Sequence, residues 1–236
     1  MRVAAIYDIH GNLSALEAVL EQIREAGVDR IIVGGDVLPG PMPVETLTQL
    51  FDLPISVQFI QGNGEVAVLA LLAGRAAYAL PKQVQEIIRW TAQQLSPEYA
   101  RVLAGWPKTV RCEIPDLGEV LFCHGTPRSE NQNFIRSTPE EVLMPIFEDL
   151  HVSVVVCGHT HMQFDRMVGK TRVVNAGSVG MPFGKPGADW LLLGPEVELR
   201  HTHYDLRQAA ERIRATKYPQ AEDFAVRNVL QPPSEE

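Results

Sequence analysis

Aspartate, histidine and asparagine recur in this sequence at one kind of place: the end of a short apolar run, with glycine alongside. Residues 3–7 lead into Asp8-Ile9-His10-Gly11-Asn12, 30–33 into Gly34-Gly35-Asp36, and 56–60 into Gln61-Gly62-Asn63-Gly64-Glu65. Residues 119–122 lead into Cys123-His124-Gly125, and 152–156 into Cys157-Gly158-His159-Thr160-His161. Four of the seven histidines lie in these five places. Asp8-x-His10 at a strand end puts both side chains on one face, because positions i and i+2 align on a strand. Alone, that pair also fits a turn closed by an Asp–His hydrogen bond. Gly35-Asp36 and Gly62-Asn63-Gly64 alone read as turns, and His124-Gly125 alone as a polar strand end. His159-x-His161 is a recurring chelating arrangement. Together, clustered Asp, His and Asn at sheet ends are what a catalytic metal site requires.

The inventory narrows the chemistry. Asp8, Asp36, Asn63, His10, His124, His159 and His161 make seven ligands, too many for one tetrahedral zinc. Two ions sharing a carboxylate fit better, and nitrogen and oxygen donors without thiolate suit Mn, Fe, Ni, Co or Zn, with Mn2+ the first choice. Two divalent ions against two carboxylates leave a positive pocket, suited to a phosphate ester.

These residues must be positioned by alternating elements. Strands are expected at 3–7, 30–33, 56–60, 109–113, 119–122 and 152–156, each short and rich in β-branched residues. A helix over 13–26 carries Leu13, Leu16, Val19, Leu20 and Ile23 on one face, with Gly27 placed to end it. Further helices are expected at 44–51, 82–95, 98–104, 139–150 and 206–215. The last third reads as successive antiparallel strands, 165–174 with a turn at Gly169-Lys170, then 190–193 and 196–204. This is an α/β pattern with a mixed sheet arrangement, one domain over 1–218. The segment 219–236, with Pro232, Pro233 and two terminal glutamates, is expected to be loose.

Composition agrees with a soluble protein. Of 236 residues, 45 % are hydrophobic and 21 % charged, ordinary globular usage. The longest apolar runs fall far short of the ~20 residues that span a bilayer, so no membrane association is expected. Residues 1–12 hold no signal-peptide cleavage pattern, and three cysteines without a CxxC suit a reducing cytoplasm. The formal charge of −8 argues against stable binding of long polynucleotides.

The ordered set Asp8-x-His10, Gly35-Asp36, Gly62-Asn63, His124 and Gly158-His159-x-His161 resembles the calcineurin-like metallophosphoesterase superfamily, in particular its small bacterial and archaeal phosphodiesterase-like branch. Residues 6–12 and 174–180 are close to that branch's wording. The resemblance implies a four-layer αββα sandwich, two mixed β-sheets flanked by helices, with the site above the strand ends. It implies that Asp8, His10 and His161 bind one metal, that Asn63, His124 and His159 bind a second, and that Asp36 bridges. Asp36, Asn63 and His124 would then be catalytic, around a bridging hydroxide that attacks phosphorus.

One departure is chemical. Members of the family commonly carry a histidine where this chain has Gly64. General-acid help is typically worth 10²–10⁴-fold, so a phosphodiester or activated ester is the expected substrate, and Gly64→His is expected to raise monoester turnover. Glu65 either orients Asn63 or a water, or is an exposed acid at a helix start. Arg128, Arg136 and Lys185 are substrate-phosphate candidates against a reading as solvated surface charge. His201-x-His203 reads as structural rather than as a second chelate, and Trp90, Trp106 and Trp190 as packing residues. The competing functions are a non-catalytic metal-binding scaffold on the same fold, a phosphomonoesterase, and a dinucleoside polyphosphate hydrolase. The apolar segment 64–107 suits either a lid or the surface of a homo-oligomer.

Overall fold

Both faces of β1 (Val3–Ile6) are buried, and its two faces enter two different cores. Val3, Ala5 and Tyr7 join one cluster with Ile32, Val120, Phe122, Val154, Val156, Val174, Leu191 and Leu193. Ala4 and Ile6 join another with Leu16, Val19, Leu20 and Leu47. A strand covered on both sides needs a continuous apolar run, which 3–7 supplies.

The computed structural model describes residues 1–75 and 80–234. One sheet has the order β10-β9-β1-β2-β3, with β2 at Arg30–Val33, β3 at Ser56–Phe59, β9 at Ala188–Leu193 and β10 at Val197–Thr202. The other has the order β4-β5-β6-β8-β7, with β4 at Thr109–Ile114, β5 at Gly118–Cys123, β6 at Val154–Cys157, β7 at Phe164–Val168 and β8 at Thr171–Asn175. Each sheet is mixed: β1, β2 and β3 run parallel, as do β5, β6 and β8; β9 and β10 extend the first sheet by antiparallel pairing beside β1, leaving β3 as a parallel edge, and β4 and β7 pair antiparallel at the two edges of the second. The sheets face each other across the first cluster. Helices α1 (Leu13–Ala26) and α2 (Pro43–Phe51) cover the outside of one sheet, and α6 (Glu140–Phe147) covers the other through Leu143, Ile146 and Phe147. The result is the expected four-layer sandwich.

Helices α3 (Asn63–Leu72), α4 (Lys82–Gln94) and α5 (Pro97–Ala104) form the 64–107 segment, and its residues 76–79 lie outside the described residues. Part of it is core: Val68, Ile88 and Ala92 bury against one another, and Trp106 stacks on Phe59 at 4.6 Å between ring centroids. Trp190 is buried with its Nε1 donating to Thr202 Oγ1, and Trp90 meets Tyr218 edge-on.

Two expectations need correction. The last four strands are not one antiparallel run. β7 and β8 form a hairpin in one sheet, and the chain then crosses to pair β9 with β1 in the other. Nor is the tail loose. α7 (Leu206–Arg214) is followed by α8 (Ala221–Phe224) and a π-helical turn at Ala225–Leu230. Phe224, Ala225 and Val229 are buried against Leu13, Met42, Ala209, Ala210 and Ile213. Phe224 and Val229 are five residues apart, a π-helical spacing that 3.6-residue periodicity does not reveal. Beyond it, Gly184 N–H donates to the Pro233 carbonyl at 2.7 Å; the terminal glutamates lie outside the described residues. All three cysteines are free and buried. Among the described residues no helix is long and apolar enough to cross a membrane.

Candidate metal centre

All seven ligand candidates come from the loops that follow the carboxyl ends of β1, β2, β3, β5 and β6, the edge at which open α/β sheets bind ligands. Asp8 and His10 follow β1, Asp36 follows β2, Asn63 opens α3 after β3, His124 follows β5, and His159 and His161 follow β6. Asp8, His10 and His161 offer ligand atoms within 4.8 Å of one another, as do Asp8, Asp36 and His124. Asn63 joins through its Oδ1, 2.9 Å from His124 Nε2, and His159 stands with its ring centroid 5.0 Å from that of His124. Asp36 spans the two groups, with Oδ2 3.6 Å from His10 Nε2 and Oδ1 3.6 Å from His124 Nε2.

The backbone bends hard to achieve this. Asp8 (φ 52°), His10 (47°), Asp36 (50°), His159 (68°) and His161 (60°) all lie in the left-handed region, at a cost on the order of 1 kcal/mol or more each. Hydrogen bonds between loops hold them there. Asp8 N–H donates to the Gly35 carbonyl, His10 N–H to the Asp36 carbonyl, and His159 N–H to Asp8 Oδ2 at 2.8 Å. Ser178 Oγ donates to the Asp8 carbonyl at 2.7 Å, and Asn175 Nδ2 to the Gly158 carbonyl at 2.8 Å. The 174–180 stretch thus supports the backbone of the site from below.

Three imidazoles are oriented from behind. His10 Nδ1 faces the Pro39 carbonyl at 3.1 Å, His124 Nδ1 the Gly34 carbonyl at 3.0 Å, and His161 Nδ1 the Met181 carbonyl at 2.9 Å. A carbonyl only accepts, so each Nδ1 carries the proton and each Nε2 points inward, where its lone pair can ligate in the neutral form of the ring; against its burial, the charge and hydrogen bond of Asp8 raise the His161 pKa. His10 Nε2 and His161 Nε2 are then 3.3 Å apart, and His124 Nε2 is 2.9 Å from the Asn63 carbonyl oxygen. Acceptors facing acceptors at such distances call for a cation between them. Ligands about 2.1 Å from one ion stand ~3.0–3.4 Å apart; the His10–His161 separation falls in that range and the His124–Asn63 separation just below it. Asp8 Oδ1 and His159 Nε2 are in addition buried without a hydrogen-bond partner, a costly state that a metal relieves. The donor set fits divalent metal ions.

Burial pushes the His10 imidazole down to about 3, with the His161 charge adding to the effect, so His10 is neutral and able to ligate at neutral pH. Burial would raise the Asp8 carboxyl, but His161, His124 and His10 around it hold it well below the usual carboxylate range. Burial, and then the Asp8 charge, push Asp36 up. Crowding two carboxylates in a dry pocket is unfavourable without a cation to balance them.

Glu65 is not an exposed acid. It is fully buried, and its carboxylate accepts from three backbone groups: Asp36 N–H at 2.9 Å, Leu38 N–H at 2.9 Å and Gly62 N–H at 2.8 Å. It therefore clamps the Asp36 loop to the start of α3, orienting the backbone that carries Asn63 rather than its side chain. The bond to Gly62 N–H is the backward half of a capping box; that spacing is the signal the sequence carries.

Gly64 is also a structural necessity. Its N–H donates to Asp36 Oδ1 at 2.7 Å. A Cβ there would overlap the Leu38 carbonyl oxygen and stand 2.9 Å from both Asp36 Oδ1 and Pro39 Cδ. Gly64→His is therefore not expected to raise turnover after all, because the Leu38-Pro39 segment occupies the space a side chain would need. Arg128 is exposed and its guanidinium donates to the Pro145 carbonyl on α6, so the structure does not bring it into the cluster. Arg136 is also exposed, and its carbonyl accepts from Arg166.

Similarity to known proteins agrees with this geometry. An uncharacterized protein of Methanocaldococcus jannaschii, MJ0912, is 27 % identical over 244 residues, covering 92 % of this chain and 94 % of its own. A metallophosphoesterase structure from Sphaerobacter thermophilus superposes with a TM-score of 0.73 at 26 % identity, covering 96 % of this chain and 97 % of that one. The hypothetical protein PH1004 of Pyrococcus horikoshii shares the fold, with a TM-score of 0.83 at 20 % identity and 99 % of both chains covered. Residues 1–196 match the family model of the calcineurin-like phosphoesterase superfamily domain. With that match spanning β1 to β9, the loops between them and all seven clustered side chains, the chain belongs to the calcineurin-like phosphoesterase superfamily.

Proposed function

We propose that this protein is a dinuclear metal-dependent phosphoesterase that hydrolyses a phosphodiester or an activated phosphate ester. The observation that carries the reading is the inward set of unpaired acceptors: Asp8 Oδ1 and His159 Nε2 lack partners, and the Nε2 atoms of His10, His124 and His161 face other acceptors. Asp8, His10 and His161 would hold one ion and Asn63, His124 and His159 the other, with Asp36 between them. Bound there, two divalent ions supply a nucleophile from water at neutral pH and charge stabilisation for the phosphoryl oxygens.

The chain's own residues shape the rest of the chemistry. The Pro39, Gly34 and Met181 carbonyls fix the ring orientations, so ligands need not reorganise during turnover. Glu65 and Gly64 N–H fix the Asp36 carboxylate. Gly64 offers no side chain to protonate a departing alkoxide, which supports the reading that the substrate is a phosphodiester or an ester whose leaving group departs unaided. A reducing cytoplasm is the compartment that three free buried thiols suit.

The test is hydrolysis of bis-p-nitrophenyl phosphate and p-nitrophenyl phosphate by metal-stripped protein re-supplied with Mn, Ni, Co, Zn or Mg, beside an Asp36→Asn control. Metal-dependent turnover that favours the diester and is abolished in Asp36→Asn supports the reading. Two ions bound per chain with no turnover on either ester would replace it with a metal-binding scaffold.

A further inference from the structure

A second cleft, of about 950 Å³, adjoins the centre and is lined by Phe183, Lys185, Asp189, His201 and His203 among others. The two are joined by short connections. The Met181 carbonyl orients His161; two residues on, the Phe183 ring lies 6.4 Å from the His161 ring, edge-on. Gln163, two residues after His161, also lines the cleft, its amide fixed by the carbonyls of Ala176, Trp190 and Arg200.

The cleft is built to carry positive charge. Asp189 and His201 are cross-strand partners on β9 and β10, and His201 Nδ1 meets Asp189 Oδ1 at 2.7 Å while Nε2 meets the Pro186 carbonyl at 3.2 Å. Both nitrogens face acceptors, so the ring is held as an imidazolium, and neither is free to chelate a metal with His203. A Cβ on Gly177 would stand 2.6 Å from Asp189 Cβ, and one on Gly187 would overlap the His201 ring; the pair is thus enclosed by positions that admit no side chain. Among the described residues, His201 neutralises the one carboxylate of the lining. That leaves Lys185 as excess positive charge, in a chain whose formal charge is −8. Lys185 and His203 are both exposed, and among the described residues neither has a hydrogen bond or ion pair. His203 is positioned by its ring contact with His201, 4.9 Å between centroids. The Pro233 carbonyl bonded to Gly184 N–H ties the C-terminal strap to the same wall.

We infer that this cleft takes the far end of the substrate: it binds a second anionic group, of phosphate type, on an ester whose scissile phosphate sits at the Asp8–Asp36 centre. Lys185 and His203 contact that group, and Phe183 separates it from the reacting phosphorus. The inference rests on the phosphoesterase reading for the scissile phosphate, and it narrows the substrate class to nucleotide-sized esters with two separated anionic groups.

The test is a calorimetric titration of manganese-supplied protein with adenosine 3′,5′-bisphosphate and with adenosine 5′-monophosphate, for the wild type and for a Lys185→Ala/His203→Ala double variant. Both side chains are exposed, so the variant should unfold at the wild-type temperature. The expected result is at least tenfold tighter binding of the bisphosphate by the wild type, and loss of that preference in the variant. No preference in the wild type, or a preference that survives in the variant, overturns the inference. Turnover of bis-p-nitrophenyl phosphate, which lacks a second anion, reports separately on the hydrolase reading and should be unchanged in the variant. Preference without turnover would keep the cleft and remove the hydrolase; turnover without preference would do the reverse.

Discussion

Replacing Gly64 with alanine adds one methyl group at the place where the loops carrying Asp36 and Asn63 touch. On helix propensity alone the change should help by at most about 1 kcal/mol, because Gly64 lies in the first turn of α3. Packing decides otherwise. The new Cβ would overlap the Leu38 carbonyl oxygen and crowd Asp36 Oδ1 and Pro39 Cδ at 2.9 Å, closer than real Cβ atoms come. Two of those three atoms belong to a backbone carbonyl and a proline ring, which cannot rotate aside as a flexible side chain would. Overpacking of that kind costs about 3 kcal/mol, so the net loss is about 2 kcal/mol. For a chain of this size that lowers the melting temperature by roughly 4–8 °C. The damage is also local. Any retreat of Leu38-Pro39 moves the Pro39 carbonyl that orients His10, and it lengthens the 2.7 Å bond from Gly64 N–H to Asp36. Loss of such orienting partners typically lowers metal affinity about 10–100-fold. Thermal unfolding of metal-stripped protein measures the first effect, and calorimetric titration with Mn2+ the second. A Gly64→Ala protein with wild-type melting and wild-type metal affinity would refute the steric reasoning, as would a Gly64→His protein with raised monoester turnover.

Removing metal should cost stability: at a free metal concentration 100 times the dissociation constant, binding adds about 2.7 kcal/mol. Chelation should therefore lower the melting temperature by roughly 5–11 °C, and Asp36→Asn should shrink that difference. Glu65→Ala should be more damaging than Glu65→Gln, because alanine strands three buried N–H groups at about 1–3 kcal/mol each, whereas glutamine keeps its carbonyl facing the Asp36 and Gly62 N–H groups. Denaturant unfolding of both variants distinguishes them, and equal losses would contradict the clamp. The hydrogen bond and charge of Asp189 raise the His201 pKa despite its partial burial. A raised folded-state value means that the stabilisation is full below the unfolded value of ~6.5 and fades as pH rises through the folded one. The stability advantage of the wild type over His201→Asn should accordingly shrink from pH 6 to pH 9; an advantage that grows with pH would show that the pair is not ionic.

The clustered Asp, His and Asn positions are legible in the sequence because strand ends are. β1, β2, β5 and β6 are short, apolar on both faces and followed at once by Asp or His beside glycine, so periodicity locates the edge and residue type locates the ligands. Boundaries differ by a residue or two, since strand pairing rather than hydropathy decides where 118 or 157 joins a ladder. The illegible features share one property: they depend on groups that carry no residue-type signal. The carbonyls of Gly34, Pro39 and Met181, which set three imidazole orientations, are backbone atoms that any residue would supply. The space at Gly64 is closed by Leu38-Pro39, far upstream, and no local pattern announces a neighbour across a loop. Glu65 sits between these cases. Its spacing from Gly62 marks a helix cap, but its burial follows only from the meeting of two loops. The same limit applies to Lys185, His201 and His203, whose types and spacing suit surface and structural roles; only the crossover from β8 to β9 places them beside the centre. A cleft assembled from β9, β10 and the 181–187 loop has no signature in one dimension, whereas a cluster of candidate metal ligands at parallel strand ends does.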